Sequence, residues 1–219
     1  IHMKAELTIP NHLSEISLKQ YQKFLKIQKN NTDDYFLQCK MIEIFCNLEP
    51  KAVKQLKLKD ADKVVQIISD MFEQKPNLTK SFVMNGIEYG VIPNLDDISL
   101  GEYIDLDTYM GDWDNMEIAM NVLYRPITEK MDDKYLISEY DVESKDKLTD
   151  IPLDVVLGSV FFFYNLGMEL SQVMMDYLED PNRDNLTHHQ TFQESGDGIN
   201  QYSLYSLKEI LQELKISLN

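Results

Sequence analysis

Three copies of one short helix-start motif constrain the fold of this chain more than its other features do. In each copy a serine is followed three residues later by glutamine or glutamate, and the serines are Ser17, Ser99 and Ser206. A serine hydroxyl at the N-cap can accept a hydrogen bond from the backbone N–H at N3, and the side chain at N3 can accept one from the serine N–H. The motif is therefore a capping box, and it predicts that a helix begins after each serine.

The first two copies lie inside a longer repeat. Ile-Pro-Asn occurs at 9–11 before the first box and at 92–94 before the second, and the second copy is shorter by one residue. The capping chemistry favours a structural role over a ligand site. A duplication and a convergence on one kind of chain connection both remain open explanations for the similarity.

Apolar periodicity and turn signals predict the remaining elements. Asn85-Gly86 between two short apolar runs is typical of a tight β-hairpin, because both residues tolerate positive φ. The predicted strands are an edge strand at 4–10, the hairpin at 81–92 and a strand at 134–140. The predicted helices are at 18–29, 33–47, 60–74, 100–110, 114–124 and 153–179, with a shorter one after Pro50.

The predicted fold class is α+β and predominantly helical, with one small hairpin and a C-terminal helix on a flexible linker. We expect a single domain at 3–180, a polar linker at 181–203 and an amphipathic helix at 204–219. The linker prediction rests on its polar composition with Gly196 and Gly198, and on Pro181, which ends the long helix.

The charge balance limits the partners of the chain. Its 37 acidic and 21 basic residues give a net charge of −16, which repels nucleic acid and anionic membrane surfaces.

Cys39 and Cys46 are seven residues apart on a predicted helix, roughly 10 Å along its axis, too far for a disulfide. We therefore expect free thiols and a reducing cytoplasm. We also expect no signal peptide and no membrane span, because the most apolar run, Val155 to Phe163, is far shorter than the roughly 20 residues that a span needs.

The stretch from Ser81 to Tyr124 contains no lysine or arginine and many acidic residues. An EF-hand loop counted from Asp105 would place Tyr109 at position 5 and Met116 at position 12, where calcium needs oxygen ligands. We therefore expect no metal site, and we interpret the stretch as a solvated face or a face that docks on a basic partner. The candidate partner-binding residues are Asp105, Asp107, Asp112 and Asp114.

Catalytic and cofactor motifs are not recognisable in the sequence. His188 and His189 lie in the predicted linker without a cysteine nearby, and the Gly196-Asp197-Gly198 segment lacks the third glycine and the preceding strand of a phosphate loop. We expect Cys39 and Cys46 to be buried in a helix. We therefore expect that this protein is not an enzyme and holds no cofactor.

The C-terminal segment carries an apolar seam with the three-and-four spacing of a packed helix. Two heptads are too few for a stable isolated helix, so the seam should pack on its own domain, on a second copy of the chain or on another protein. The candidate partner-binding residues here are Leu204, Leu207, Ile210, Leu211, Leu214 and Leu218.

Three segments carry a resemblance to known proteins, and they are IPNLDDISLGEYIDLDTY at 92–109, AMNVLYRPI at 119–127 and LGSVFFFYNLG at 157–167. Over roughly residues 5–178 the chain resembles proteins of tailed bacteriophages, especially crAss-like and related phages of Bacteroidetes. The resemblance implies a non-enzymatic morphogenesis protein that acts through protein–protein contacts in the host cytoplasm or the virion. By analogy it is most similar to a tail-assembly chaperone.

The resemblance also sets the expected partners. These are the tape measure, tail or portal components, or a second copy of the chain. The negative charge leads us to expect neither nucleic acid nor a membrane as a partner. Two alternatives remain open. One is a virion component such as a connector or cargo protein, and the other is an acidic host-takeover protein that binds a host enzyme.

Overall fold

The computed structural model describes residues 7–132, 134–141 and 148–179. These residues form seven α-helices and one four-stranded antiparallel sheet, so the fold is α+β and mostly helical, as predicted. In chain order the elements are α1 (Leu18–Lys29), α2 (Asp34–Phe45), α3 (Pro50–Val53), α4 (Leu58–Phe72), β1 (Ser81–Met84), β2 (Ile87–Val91), α5 (Leu100–Tyr109), α6 (Met116–Leu123), β3 (Tyr124–Met131), β4 (Lys134–Ile137) and α7 (Leu153–Glu179). The predicted linker at 181–203 and the predicted C-terminal helix at 204–219 lie outside the described residues.

Helices α1 and α5 begin directly after their capping serines. Ser17 Oγ accepts from Gln20 N at 3.3 Å, and Gln20 Oε1 accepts from Ser17 N at 3.0 Å. Ser99 Oγ accepts from Glu102 N at 3.3 Å, and Glu102 Oε2 accepts from Ser99 N at 2.7 Å. Both predicted capping boxes are therefore confirmed, while the third, at Ser206, lies outside the described residues.

The longer repeat is also a repeat of structure. A one-turn 3-10 helix lies between Ile-Pro-Asn and the box in each copy, at Leu13–Glu15 before α1 and at Leu95–Asp97 before α5. Ile16, the residue before the first capping serine, is buried. The repeated letters therefore encode one kind of chain connection, which ends in a capped helix start.

The sheet has the strand order β1-β2-β3-β4. Its first hairpin turns at Asn85 and Gly86, whose φ angles of 53° and 79° are those of a type I′ turn. This confirms the predicted hairpin, and β4 confirms the predicted strand at 134–140 over its first four residues.

Strand β3 was not predicted. The chain leaves α6 at Leu123 and enters the strand at Tyr124 with no intervening turn, so the sequence has no Gly or Asn to mark the boundary. Pro126 lies inside the strand, and proline normally argues against strand pairing because it has no N–H to donate. Its carbonyl still accepts from Ser138 N at 2.9 Å.

The predicted edge strand at 4–10 is wrong over its described part. Residues 7–10 have no strand conformation. The alternation in this segment reflects side-chain burial instead, since Leu7 and Ile9 are half-buried while Thr8 is exposed. The segment leads into the 3-10 turn and α1, whose start is bridged to the start of α7 by Leu153 N donating to Ile16 O at 2.8 Å.

The described residues form two compact units. The first contains 7–92 and 99–161, with the gaps already given, and the second contains 93–98 and 162–179. Helix α7 confirms the predicted helix at 153–179. The predicted single domain at 3–180 stays a prediction.

The core of the first unit includes a hydrogen-bonded tyrosine. Tyr124 OH donates to Thr79 O at 2.9 Å and lies 3.1 Å from Ser159 Oγ, and burial raises the pKa of Tyr124 to about 12. Helix α7 approaches the segment before β1 closely, because a Cβ on Gly158 would lie 2.3 Å from Asn77 O. These contacts fix the sheet against the first turns of α7.

Both cysteines are free thiols, as predicted. Cys46 is buried, and burial raises its pKa to about 11. The expectation that both are buried is wrong for Cys39, which is exposed on α2. Among the described residues, no helix combines the length and the apolar character needed to cross a membrane.

Candidate interaction surface

The four aspartates predicted to bind a partner lie in two places and have four different environments. Asp105 and Asp107 are on α5, whereas Asp112 and Asp114 are in the turn between α5 and α6, at residues 110–115, which we call the acidic turn. In the sequence the four aspartates belong to one acidic stretch. In the structure they differ in what each carboxylate contacts.

Asp105 is occupied inside the protein. Its Oδ2 accepts from Tyr140 OH at 2.5 Å, and the Asp105 side chain is only partly exposed. Burial, the hydrogen bond to Asp105 and the negative charges of Asp105 and Glu102 all raise the pKa of Tyr140. The tyrosine therefore stays protonated and can donate, so Asp105 serves as a structural link between α5 and the segment after β4.

A buried ion pair ties the first turn of α5 to β3. Arg125 Nη2 lies 2.8 Å from Glu102 Oε1, and the two side chains are only 13% and 9% exposed. Arg125 Nε is buried and has no hydrogen-bond partner among the described residues. Glu102 thus closes the capping box with one oxygen and binds the guanidinium with the other.

The acidic turn is folded by its own aspartate. Asp112 accepts from Asn115 Nδ2 at 2.9 Å and from Asp114 N at 3.0 Å. These hydrogen bonds, the one from Asn115 foremost, lower the pKa of Asp112. Asp112 therefore acts first as a turn-forming residue, as an Asx turn requires.

Helix α1 holds the acidic turn in place. The Tyr21 and Trp113 rings meet edge to face with centroids 5.0 Å apart. Gln22 Nε2 donates to Trp113 O at 2.9 Å and to Glu117 Oε2 at 2.8 Å. Asp114 lies 3.6 Å from Lys26 Nζ in an exposed ion pair.

Asp107 is the aspartate that α5 presents outward beside apolar groups. Leu100 is 67% exposed and Ile104 is 51% exposed, and both lie on the same side of the helix as Asp107 and Thr108. We call these four residues the α5 strip. Glu102 and Leu106 occupy the opposite, buried side of the helix.

Sequence reasoning missed the apolar half of this surface. Leu100 and Ile104 carry a usable signal, the one-turn spacing that places two side chains together on a helix. Tyr103 and Leu106 are also apolar, so the pattern alone leaves open which side of α5 is buried. The buried Glu102, held by Arg125, decides it.

The second predicted surface lies outside the described residues. It comprises Leu204, Leu207, Ile210, Leu211, Leu214 and Leu218, and its role in partner binding stays a prediction. As for metals, the part of the chain that the structure describes contains no group of three or more histidine, cysteine, aspartate or glutamate side chains placed to hold an ion.

In comparisons with protein-family models, with curated proteins and with solved structures, nothing matches this chain.

Proposed function

We propose that this protein acts without catalysis, through protein–protein contacts, in the morphogenesis of a tailed bacteriophage, most like a tail-assembly chaperone. The α5 strip is the observation that carries the contact function. The sequence resemblance of 92–109, 119–127 and 157–167 to phage proteins supports the proposed role in phage morphogenesis. The strip lies within the first of these segments.

The α5 strip has the composition of a helix-binding surface. Leu100 and Ile104 are one turn apart, and fully burying each side chain is worth roughly 1.5–3 kcal/mol. Single exposed apolar residues are ordinary, but this adjacent pair can be covered together by one partner element. Its rigidity is favoured by the Ser99 capping box and by the buried Glu102–Arg125 ion pair.

The charge around the strip defines the partner. Asp107 lies on the strip, and the sequence from Ser81 to Tyr124 contains no basic residue. A partner helix with apolar anchors and a basic flank fits this surface, because an amphipathic helix binds through such a row of apolar side chains. A chaperone that keeps a long tail helix from aggregating during assembly would need a surface of this kind.

The test is affinity capture from infected cells followed by mass spectrometry, with wild type compared with Leu100→Lys. The matched control is Leu58→Lys, because Leu58 is also a leucine at the first position of a helix and is 68% exposed. We expect wild type and Leu58→Lys to capture a tape-measure, tail or portal protein, and Leu100→Lys to lose it. All three proteins should melt at the same temperature.

Other outcomes would point elsewhere. Capture of a host enzyme would favour the host-takeover alternative, and recovery of the protein itself in purified virions would favour a virion component. Capture that Leu100→Lys leaves unchanged would show that the α5 strip is not the contact surface.

A further inference from the structure

Helix α1 carries a surface of the opposite charge. The sequence between Glu15 and Asp33 contains no acidic residue, and its four lysines on α1 are all exposed. At 100° per residue they lie within an arc of roughly 120° on one side of the helix. We call them the lysine face; they are Lys19, Lys23, Lys26 and Lys29.

The lysine face and the acidic turn are neighbours on one surface. Lys26 Nζ is 3.6 Å from Asp114 Oδ1, and these side chains are 62% and 56% exposed. The Lys29 charge also contributes to the lowered pKa of Asp112. Positive charge on one side and negative charge on the other therefore meet along a solvent-accessible boundary.

One aromatic ring lies at this boundary, that of Trp113 in the acidic turn. It is half-buried and packs edge to face on Tyr21, which lies on the opposite side of α1 from the lysine face. Trp113 is the only tryptophan of the chain. Tryptophan is enriched at the centres of protein interfaces, where it supplies a large contact area.

We propose that this face is the interface of a two-fold symmetric dimer, in which Lys26 of each chain pairs with Asp114 of the other beside Trp113. In a two-fold interface the same surface meets itself in reverse, so each positive half faces a negative half. A wholly basic or wholly acidic partner would match one half of the surface and be repelled by the other. A second copy of this chain supplies both halves in the required order.

The dimer does not depend on the proposed function, which uses the α5 strip. Exposed ion pairs contribute little singly, and the net charge of −16 repels a second copy, so the dimer should be weak. Salt screens the overall repulsion as well as the local attraction. The test is therefore made at one fixed ionic strength with charge-reversed variants.

The experiment measures the dimer dissociation constant by sedimentation over a concentration series for wild type, Lys26→Glu and Asp114→Lys. Each reversal places two like-charged pairs across the interface, and we expect it to raise the dissociation constant about tenfold or more. An equimolar mixture of the two variants should regain the wild-type dimer, because both cross-chain pairs become opposite in charge. An ion pair that acts only within one chain would gain nothing from mixing.

The matched controls are Lys130→Glu and Glu88→Lys. This pair is also exposed, at 2.7 Å, but it lies on the sheet, and reversing it changes the net charge by the same amount. These controls should leave the dissociation constant unchanged. Trp113 fluorescence gives a second readout, since its emission should shift to shorter wavelength as the wild-type concentration rises.

Three results would overturn the assignment: wild type that is monomeric throughout the concentration series, a dimer that the reversals do not weaken, or a mixture that does not regain the dimer. If a reversal fails to fold in a thermal melt, Lys26→Ala and Asp114→Asn replace it. Each of these should weaken the dimer, and a dimer insensitive to both would equally refute the interface.

Discussion

Helices α1 and α5 begin with the same capping box, but the side chain at N3 has a different second role in each helix. In α1 the amide of Gln20 closes the box with its oxygen, and its Nε2 donates to Ile44 O at 2.8 Å and to Asn47 Oδ1 at 3.3 Å. In α5 the carboxylate of Glu102 closes the box with one oxygen and binds Arg125 with the other. The box is the same, and the distant partner differs.

The difference explains why one box has glutamine and the other glutamate. A backbone carbonyl needs a donor, which an amide supplies and a carboxylate does not. A buried guanidinium needs an anion, because an unpaired buried charge is costly. A capping box forms with either glutamine or glutamate at N3, and the tertiary partner of that side chain determines which of the two is suitable.

The largest effect should come from removing the partner of Glu102. Arg125→Met leaves a carboxylate buried without its cation, and breaking a buried pair in this way costs about 3–5 kcal/mol of unfolding free energy. Chemical denaturation measures the loss. Adding Glu102→Gln to the same chain should recover part of it, since the uncompensated charge is gone, and a double variant less stable than Arg125→Met would argue against the charge explanation.

Exchanging glutamine for glutamate in α1 should have a smaller effect. Gln20→Glu keeps the acceptor for Ser17 N but replaces the donor to Ile44 O with a second acceptor. An unsatisfied buried polar group costs about 1–3 kcal/mol, and we expect a loss in that range at neutral pH. Denaturation of Gln20→Glu checks this, and wild-type stability would show that the bond to Ile44 contributes nothing.

The two capping serines should behave alike. Ser17→Ala and Ser99→Ala each lose one acceptor for a backbone N–H, and each should lower the unfolding free energy by about 1 kcal/mol. Both variants should still capture the partner. If one of them lost capture at an unchanged melting temperature, the repeat would be a recognition motif as well as a cap.

The smallest effect should come from divalent cations on the acidic side of the molecule. Asp105 accepts from Tyr140 and Asp112 holds its own turn, and the described residues include no group of three or more side chains placed to hold an ion. Millimolar calcium or magnesium should shift the melting temperature no more than ionic strength does. A saturable stabilisation that Asp105→Asn/Asp107→Asn abolishes would show a metal site.

Local signals predicted local structure well. The boxes at Ser17 and Ser99, the Asn85-Gly86 turn and the extent of α7 each depend on residues close in sequence, and each is confirmed. Strand β3 could not be predicted in the same way. Its pairing with β2 is non-local and overrides the usual meaning of Pro126.

The candidate site shows the same limit. The sequence indicated an acidic surface, but Asp105, Asp112 and Asp114 each have a partner inside the protein that lies far along the chain or depends on the turn geometry. Asp107 and its apolar neighbours on α5 remain for a partner. Which side of α5 faces outward depends on Arg125, more than twenty residues away.

The central proposal is that a phage protein contacts the outward-facing α5 strip. Site-specific photo-crosslinking in infected cells tests this contact most directly. A photoreactive residue at Ile104 should crosslink to a phage protein. The control is Ile67, which is 41% exposed on α4 and is not part of the strip, and a photoreactive residue there should not crosslink. Crosslinks of equal strength from both positions, or from Ile67 alone, would contradict the account.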